Sequence, residues 1–363
     1  MYVYDSNGTV VELGDVINAG GEGEVRTVVG DGTTVAKLYR DPTPERRAKI
    51  QNMVALHDKI MAVQAGVLRA VCWPRQALYA DSEAAEFIGF LMRRAPVGSV
   101  AASELYRYPR AATGLSALTC VDALIALTRV LDALHHTVVN GHALVVGDLS
   151  GDNVLVAPDG GVHLIDADTF YVQRGGAHPC VACAPGVAAP ELIAAAHGRT
   201  YAQMEAAGEP TFTVATDLFA LAVLVFRMLC NGVHPFEGAV EPDAEGEYPL
   251  PPAVDCQVRD GRSPFTGTAS GVGLFAWALP LGHVPPLLRE AYERSLFSGA
   301  DGADRRVTDA QWGRLLRDYR AHLVECGHGH VFHRGFVTAA GAPACPYCAA
   351  DRRVACMAQA PAA

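Results

Sequence analysis

Two short acidic stretches constrain this chain more than any other feature: Val146-Gly147-Asp148-Leu149-Ser150-Gly151-Asp152-Asn153 and Leu164-Ile165-Asp166-Ala167-Asp168. Asp148 and Asn153 lie five apart, Asp148 and Asp166 eighteen apart, and each stretch adjoins an apolar run that reads as a strand. Such spacing can gather three oxygen-bearing side chains at one place. One carboxylate can then orient a hydroxyl nucleophile while the amide and the second carboxylate hold magnesium on a nucleotide. Phosphoryl transfer needs such positioning and charge neutralisation more than covalent chemistry. Asp, Asn and Gly also mark ordinary turns, so the rest of the chain must decide between the two readings.

At 363 residues the chain can hold two or three domains with a real core. Half of it is hydrophobic and 19% is charged, which fits a soluble globular protein. A net charge of −10 argues against a general binder of nucleic acid or of anionic membranes. No apolar stretch is long enough to cross a bilayer, and the start Met1-Tyr2-Val3-Tyr4-Asp5 lacks the pattern of a signal peptide, so a cytoplasmic location is expected. Of the ten cysteines, six are scattered and four crowd into the last forty residues, which suits reduced core thiols plus one metal site.

Residues 1–95 read as β-rich, with β-branched or aromatic runs at Val10–Leu13, Glu24–Val29, Thr33–Tyr39, Cys72–Tyr79 and Phe87–Met92. One helix interrupts them, announced by Thr43-Pro44-Glu45 and followed by Ile50, Met53, Val54 and Leu56 at helical spacing. Residues 96–322 read as mostly helical: an amphipathic stripe over Leu118–His136, a nearly all-apolar helix over Thr213–Leu229, and a last helix over Thr308–Glu325. The region 237–286 gives loops and short helices only. Residues 323–363 form a Cys/His tail.

Near the start, Asn18-Ala19-Gly20-Gly21-Glu22-Gly23-Glu24-Val25 sits between two strands, and Lys37 follows on the next strand in Val35-Ala36-Lys37. Glycines let the backbone fold closely over phosphates, although a tight hairpin also needs them. Only Lys37, Lys49 and Lys59 are lysines, so one on this strand stands out. Taken in order, the glycine hairpin, the strand lysine, the Asp-x₄-Asn loop and the strand-ending Asp resemble the eukaryotic-type Ser/Thr protein kinase superfamily. Ala189-Pro190-Glu191, Asp217 with His234-Pro235-Phe236, and Arg306-Val307-Thr308 leading to Trp312 continue the resemblance over roughly residues 10–320.

The resemblance implies a two-lobed α+β fold that uses ATP and Mg²⁺ on a protein substrate. It implies Asp148 as the base that takes the acceptor proton, Asn153 and Asp166 as magnesium ligands, and Lys37 on the nucleotide phosphates. Gly20, Gly21 and Gly23 would form the lid, with Val25 and Val35 above the adenine and Met92 guarding the back of the pocket. Several positions depart from the family pattern. Asn18 replaces the first glycine, Val146-Gly147 replaces the His-Arg pair, and Ser150 replaces a lysine. Without that arginine, activity is expected not to depend on phosphorylation between Asp168 and Ala189. Asp168 stands where a glycine is usual and could add a second metal carboxylate. No helix acid pairs obviously with Lys37, since Glu45 comes early, Asp58 late, and Gln51 is neutral. These departures keep two alternatives open, a pseudokinase-type nucleotide-binding scaffold and a small-molecule phosphotransferase.

In the tail, Cys326-x₃-His330 and Cys345-x₂-Cys348 supply four ligands at the spacing of a structural zinc-ribbon-like module, with His328 and His333 as rival histidines. Gly147-Asp148, the stretch Ile165–Phe170 and Cys345–Cys348 also resemble a bacterial kinase group associated with tellurium-resistance-type gene clusters. That resemblance implies von Willebrand A-type proteins and a protein phosphatase as partners.

Overall fold

The β-branched and aromatic runs of the first 93 residues form six strands: β1 (Tyr2–Asp5), β2 (Val10–Ala19), β3 (Gly23–Val28), β4 (Asp31–Tyr39), β5 (Pro74–Tyr79) and β6 (Phe87–Arg93). A computed structural model describes residues 1–108, 113–173, 177–178, 180, 183–209, 211–337 and 344–359. In it the six strands close into an antiparallel barrel in the order β1-β2-β3-β4-β6-β5, with β1 pairing back onto β5. Closure leaves no open sheet edge.

Two glycines set β4, the strand that carries Lys37. A Cβ on Gly23 would lie 1.9 Å from the Leu38 carbonyl oxygen, and one on Gly89 would lie 2.1 Å from the Lys37 carbonyl oxygen. β3 and β6 therefore approach β4 more closely than any side chain at those positions allows.

α1 (Pro44–Ala70) begins where the sequence predicts, with the Thr43 side chain accepting the Arg46 N–H and Pro44 in the first turn. It runs 27 residues, beyond the stripe ending at Leu56, because Ile60 extends the buried row of Ile50, Met53 and Leu56. The Trp73 indole N–H donates to the Met53 carbonyl at 2.9 Å and ties this helix to the chain entering β5.

The helical half comprises α2 (Ala102–Tyr106), α3 (Ala117–His135), α4 (Pro190–Ala196), α5 (Tyr201–Ala206), α6 (Val214–Leu229), α7 (Val254–Arg259), α8 (Pro286–Ser295) and α9 (Asp309–Ala321); α10 (Pro346–Gln359) is the last element among the described residues. α6 starts at a Thr213/Thr216 capping box and is buried nearly all round, as its composition predicts. One core cluster runs from Val35 and Phe90 of the barrel through Leu124, Leu164 and Phe226 to Tyr347 and Ala350, so the two halves share their interior.

The predicted last helix does not reach Glu325. It stops at Ala321, and Leu323–Glu325 becomes a strand paired with Val331–His333. Burial of Phe332, opposite Val324, draws the chain into this hairpin, whose turn brings Cys326 and His330 together. Among the described residues no helix is long and apolar enough to cross a membrane.

Gly89→Ala is expected to destabilise the fold by about 1–3 kcal/mol, the usual cost of overpacking. Gly21→Ala, whose Cβ meets nothing within 4 Å, is expected to be neutral by the same urea titration.

Candidate active site

Lys37 points from β4 into a carboxylate cluster. Its Nζ lies 3.2 Å from Asp166 Oδ1 and 2.9 Å from each oxygen of Asp168, with Glu22 Oε2 of the glycine loop at 3.6 Å. The Tyr39 hydroxyl donates to Asp168 Oδ2 at 2.7 Å, from the same face of β4 as Lys37. Burial alone would lower the Lys37 pKa, but the Asp168 and Asp166 carboxylates outweigh it and push it up to about 12.

Asp166 adopts a left-handed backbone (φ 53°, ψ 37°), a conformation uncommon outside glycine that Asp and Asn tolerate better than other residues. It leads into the short 3₁₀ turn Ala167–Thr169, which turns the two aspartates different ways: the Asp166 side chain is 39% exposed and the Asp168 side chain 5%. Burial raises the Asp166 pKa, opposed by Lys37. Asp168, read from sequence as an added metal carboxylate, is instead closed around Lys37 and Tyr39.

Asp148 sits in the loop before the strand Val154–Val156. Its Oδ2 accepts from the Asn153 amide at 2.9 Å, and that amide also donates to the Asp148 carbonyl at 3.0 Å. The Asn153 oxygen is thereby left for a cation. Asp148 Oδ1 accepts the Ala184 N–H at 2.9 Å, which joins it to the segment leading to Ala189-Pro190-Glu191. Burial raises the Asp148 pKa, offset by these two donors, and the nearby Asp166 charge raises it further.

The loop is held from below. Asp217 of α6 accepts the Val146 and Gly147 N–H groups at 2.7 and 2.9 Å, and His135 links Asp217 (3.1 Å) to Asp309 (2.6 Å). Gly147 has φ +77°, and a Cβ there would meet Cys180 Sγ at 2.6 Å. The space an arginine would need is filled by Cys180. Arg306, buried, pairs with both oxygens of Glu191 at 2.6 and 2.7 Å, the contact its motif implies.

A cavity of about 140 Å³ beside the glycine loop is lined by Gly20, Gly21, Gly23, Val25, Lys37 and Asp166, together with Asn18 and Glu22. Val35 and Met92 do not line it; they pair across β4 and β6 and are buried in the core. Gly23 is required by its packing on Leu38, whereas Gly20 and Gly21 have open space and remain candidates for close approach to a ligand. Sequence reasoning missed Tyr39 and His135. The period-two placement of Tyr39 after Lys37 was a usable signal, but nothing local marked His135.

The tail gathers Cys326, His330, Cys345 and Cys348 within 4.8 Å of one another. The Cys326–Cys348 sulfurs are 3.7 Å apart, and His330 Nδ1 lies 3.3 and 3.6 Å from the Cys348 and Cys345 sulfurs. Ligand bonds of about 2.3 Å to sulfur and 2.0 Å to nitrogen give tetrahedral edges of roughly 3.5–3.8 Å, so the four atoms fit one tetrahedral cation. Asp351 lies 3.5 Å from the other His330 nitrogen, a suitable outer partner. His328 reaches only Cys348, at 3.5 Å, and His333 Nδ1 accepts the Gly335 N–H.

This barrel and helical body, with a buried lysine facing two aspartates and an Asp-Asn loop, have the arrangement of a protein-kinase-like fold, and the comparisons with known proteins support that likeness. It is 26% identical over 366 aligned positions to Protein kinase YegI of Escherichia coli (strain K12), covering 97% of this chain and 50% of that protein. The protein of the same name from Escherichia coli O157:H7 is 27% identical over 368 positions, with the same shares. The chain thus spans about half the length of the curated relatives it matches. Its fold is like that of the Toxoplasma gondii specific rhoptry antigen kinase domain, with a TM-score of 0.51, 16% identity, and coverage of 88% of this chain and 86% of that one. No family model matches the sequence.

For His135, burial opposes protonation, but its bonds to Asp217 and Asp309 raise its pKa from 6.5 to about 10. Its stabilising charge is therefore fully present below about 6.5 and lost as pH rises through about 10. Urea midpoints are expected to fall across that window in the wild type and to vary less in His135→Gln.

Proposed function

We propose that this protein is an ATP-dependent protein kinase that transfers the γ-phosphate to serine or threonine hydroxyls. The observation that carries the reading is the approach of Lys37 to within 3.2 Å of Asp166, while Asp166 and Asp148 are close enough for their charges to interact. A buried ammonium held against a cleft-facing carboxylate 129 residues away is the arrangement that a phosphate- and metal-binding site requires.

Lys37 holds the nucleotide phosphates and Gly20 and Gly21 cover them. Asn153 Oδ1 and Asp166 would hold magnesium, whose charge would offset that of the phosphates. Asp148, fixed by Asn153 and Ala184, takes the proton of the acceptor hydroxyl. Control by phosphorylation of the activation segment is absent from this reading: between Asp168 and Ala189 the sequence has only Thr169 and Tyr171 as hydroxyl residues, their hydroxyls donate to the Asp166 carbonyl and to Gln173, and Cys180 fills the place of the arginine that would read a phosphate. A segment joined by its backbone to the base, and leading into the Glu191–Arg306 pair, favours a protein acceptor over a small molecule.

The test is transfer of labelled γ-phosphate to the protein itself and to a generic protein substrate. Asp148→Ala is expected to lower kcat by about 10²–10⁴-fold, the range for losing a general base, with Mg-ATP affinity kept. Equal silence of wild type and Asp148→Ala, both binding Mg-ATP, would establish the nucleotide-binding scaffold instead.

The tail cluster is proposed to hold one structural zinc, since four protein ligands leave no open position for catalysis. Elemental analysis of protein purified without chelators is expected to give one zinc per chain, lost in Cys345→Ser. Absence of zinc from the wild type would contradict this.

A further inference from the structure

In the family pattern the strand lysine is held by an acid on the helix that follows, yet α1 supplies none in the right place. The only acids of α1 are Glu45 and Asp58. Glu45 is exposed in the first turn, Asp58 is fully exposed beside His57, and the Gln51 amide is turned to the Tyr79 hydroxyl at 3.2 Å. What α1 contributes to the cluster is a cation, because the charge of Lys49 acts on both Asp168 and Lys37.

The missing acid is found elsewhere. Asp168 offers both carboxylate oxygens to Lys37 Nζ at 2.9 Å, accepts the Tyr39 hydroxyl at 2.7 Å, and is buried with its partners. A buried carboxylate with this many partners is a positional constraint, and an off-rotamer lysine would leave it uncompensated. The bidentate contact is shorter than the single contact from Asp166, so Asp168 sets where the ammonium sits and Asp166 stays partly exposed to the cleft.

We propose that Asp168, braced by Tyr39, is the positioning residue for Lys37 and takes over the role of the absent helix acid. The residue that places the lysine and the cleft-facing Asp166 then lie on one short turn, two residues apart. The charge order across the cluster is reversed relative to the helix-acid arrangement, with the acid on the turn and the cation on the helix. This rests on the reading of Lys37 as the phosphate-holding residue.

Reversing that order is the test. Asp168→Asn keeps the shape and removes the charge, and Asp168→Gly with Lys49→Glu moves the acid from the turn to the helix. Asp168→Asn and Asp168→Gly are each expected to lower kcat/KM about 10²-fold, the scale of a misplaced reacting group. Lys49→Glu added to Asp168→Gly is expected to restore at least about tenfold of that loss, which a merely structural role for Asp168 would not produce. If Asp168→Gly does not fold, the comparison of wild type with Asp168→Asn carries the test. A second readout needs no catalysis: the rate at which an amine-reactive reagent labels Lys37 near pH 9, followed by peptide mass spectrometry. Loss of the paired carboxylate is expected to raise it several-fold in Asp168→Asn, because the ammonium gives up its proton more easily. Unchanged labelling together with wild-type kcat/KM in folded Asp168→Asn would overturn the proposal, as would a double variant no better than folded Asp168→Gly. A wild type that transfers no phosphate, with labelling still responsive to Asp168, would count against the kinase reading and leave the Lys37–Asp168 pairing standing.

Discussion

A buried ammonium survives folding only when opposite charge and hydrogen bonds meet it, and the burial of Lys37 is the constraint that organises this protein. β4 is held between Gly23 and Gly89, whose missing side chains let both neighbouring strands close on it. The turn at Asp166 presents one carboxylate to the cleft and buries the next against the lysine. Tyr39, two residues along the strand, adds the hydroxyl that completes the buried carboxylate's bonding. Removing Lys37 would leave the buried Asp168 carboxylate without its ion-pair partner, and removing Asp168 would leave the ammonium only its longer contacts with Asp166 and Glu22.

The helical half solves a second problem, which is to hold a loop rigid although it belongs to neither helix nor sheet. Asp217 does so by accepting two consecutive backbone N–H groups, at Val146 and Gly147, from within the all-apolar α6. A lone carboxylate in that helix would be costly, and His135 meets it while reaching on to Asp309 of α9. Three helices are thereby tied to the residue before Asp148. The Glu191–Arg306 pair makes a parallel tie from α4. The segment between these ties is seated by packing and backbone bonds, with Cys180 against Gly147 and Ala184 on Asp148.

Much of this was legible in the chain. β-branched and aromatic runs marked five of the six barrel strands, and Thr43-Pro44-Glu45 marked the start of α1, because strand propensity and helix capping are local effects. The convergence of Lys37, Asp148, Asn153 and Asp166 could be reached only through motif order, since no local rule joins residues over a hundred positions apart. The role of Asp168 was misread because its spacing from Asp166 suits either a shared metal or opposite orientations, and the backbone at Asp166 decides between them. Val35, expected above the adenine, and Met92, expected at the back of the pocket, pair across β4 and β6 and are buried. Leu323–Glu325 carries no Gly or Pro to stop the expected last helix; the hairpin it forms with Val331–His333 ends that helix instead.

The account stands on four side chains meeting around one triphosphate, and an experimental structure with Mg²⁺ and a non-hydrolysable ATP analogue tests that most directly. The account predicts Lys37 Nζ on the nucleotide phosphates, the cation between Asn153 Oδ1 and Asp166, and the γ-phosphate facing Asp148. A nucleotide bound elsewhere, or phosphates that leave Lys37 and Asp166 untouched, would contradict it.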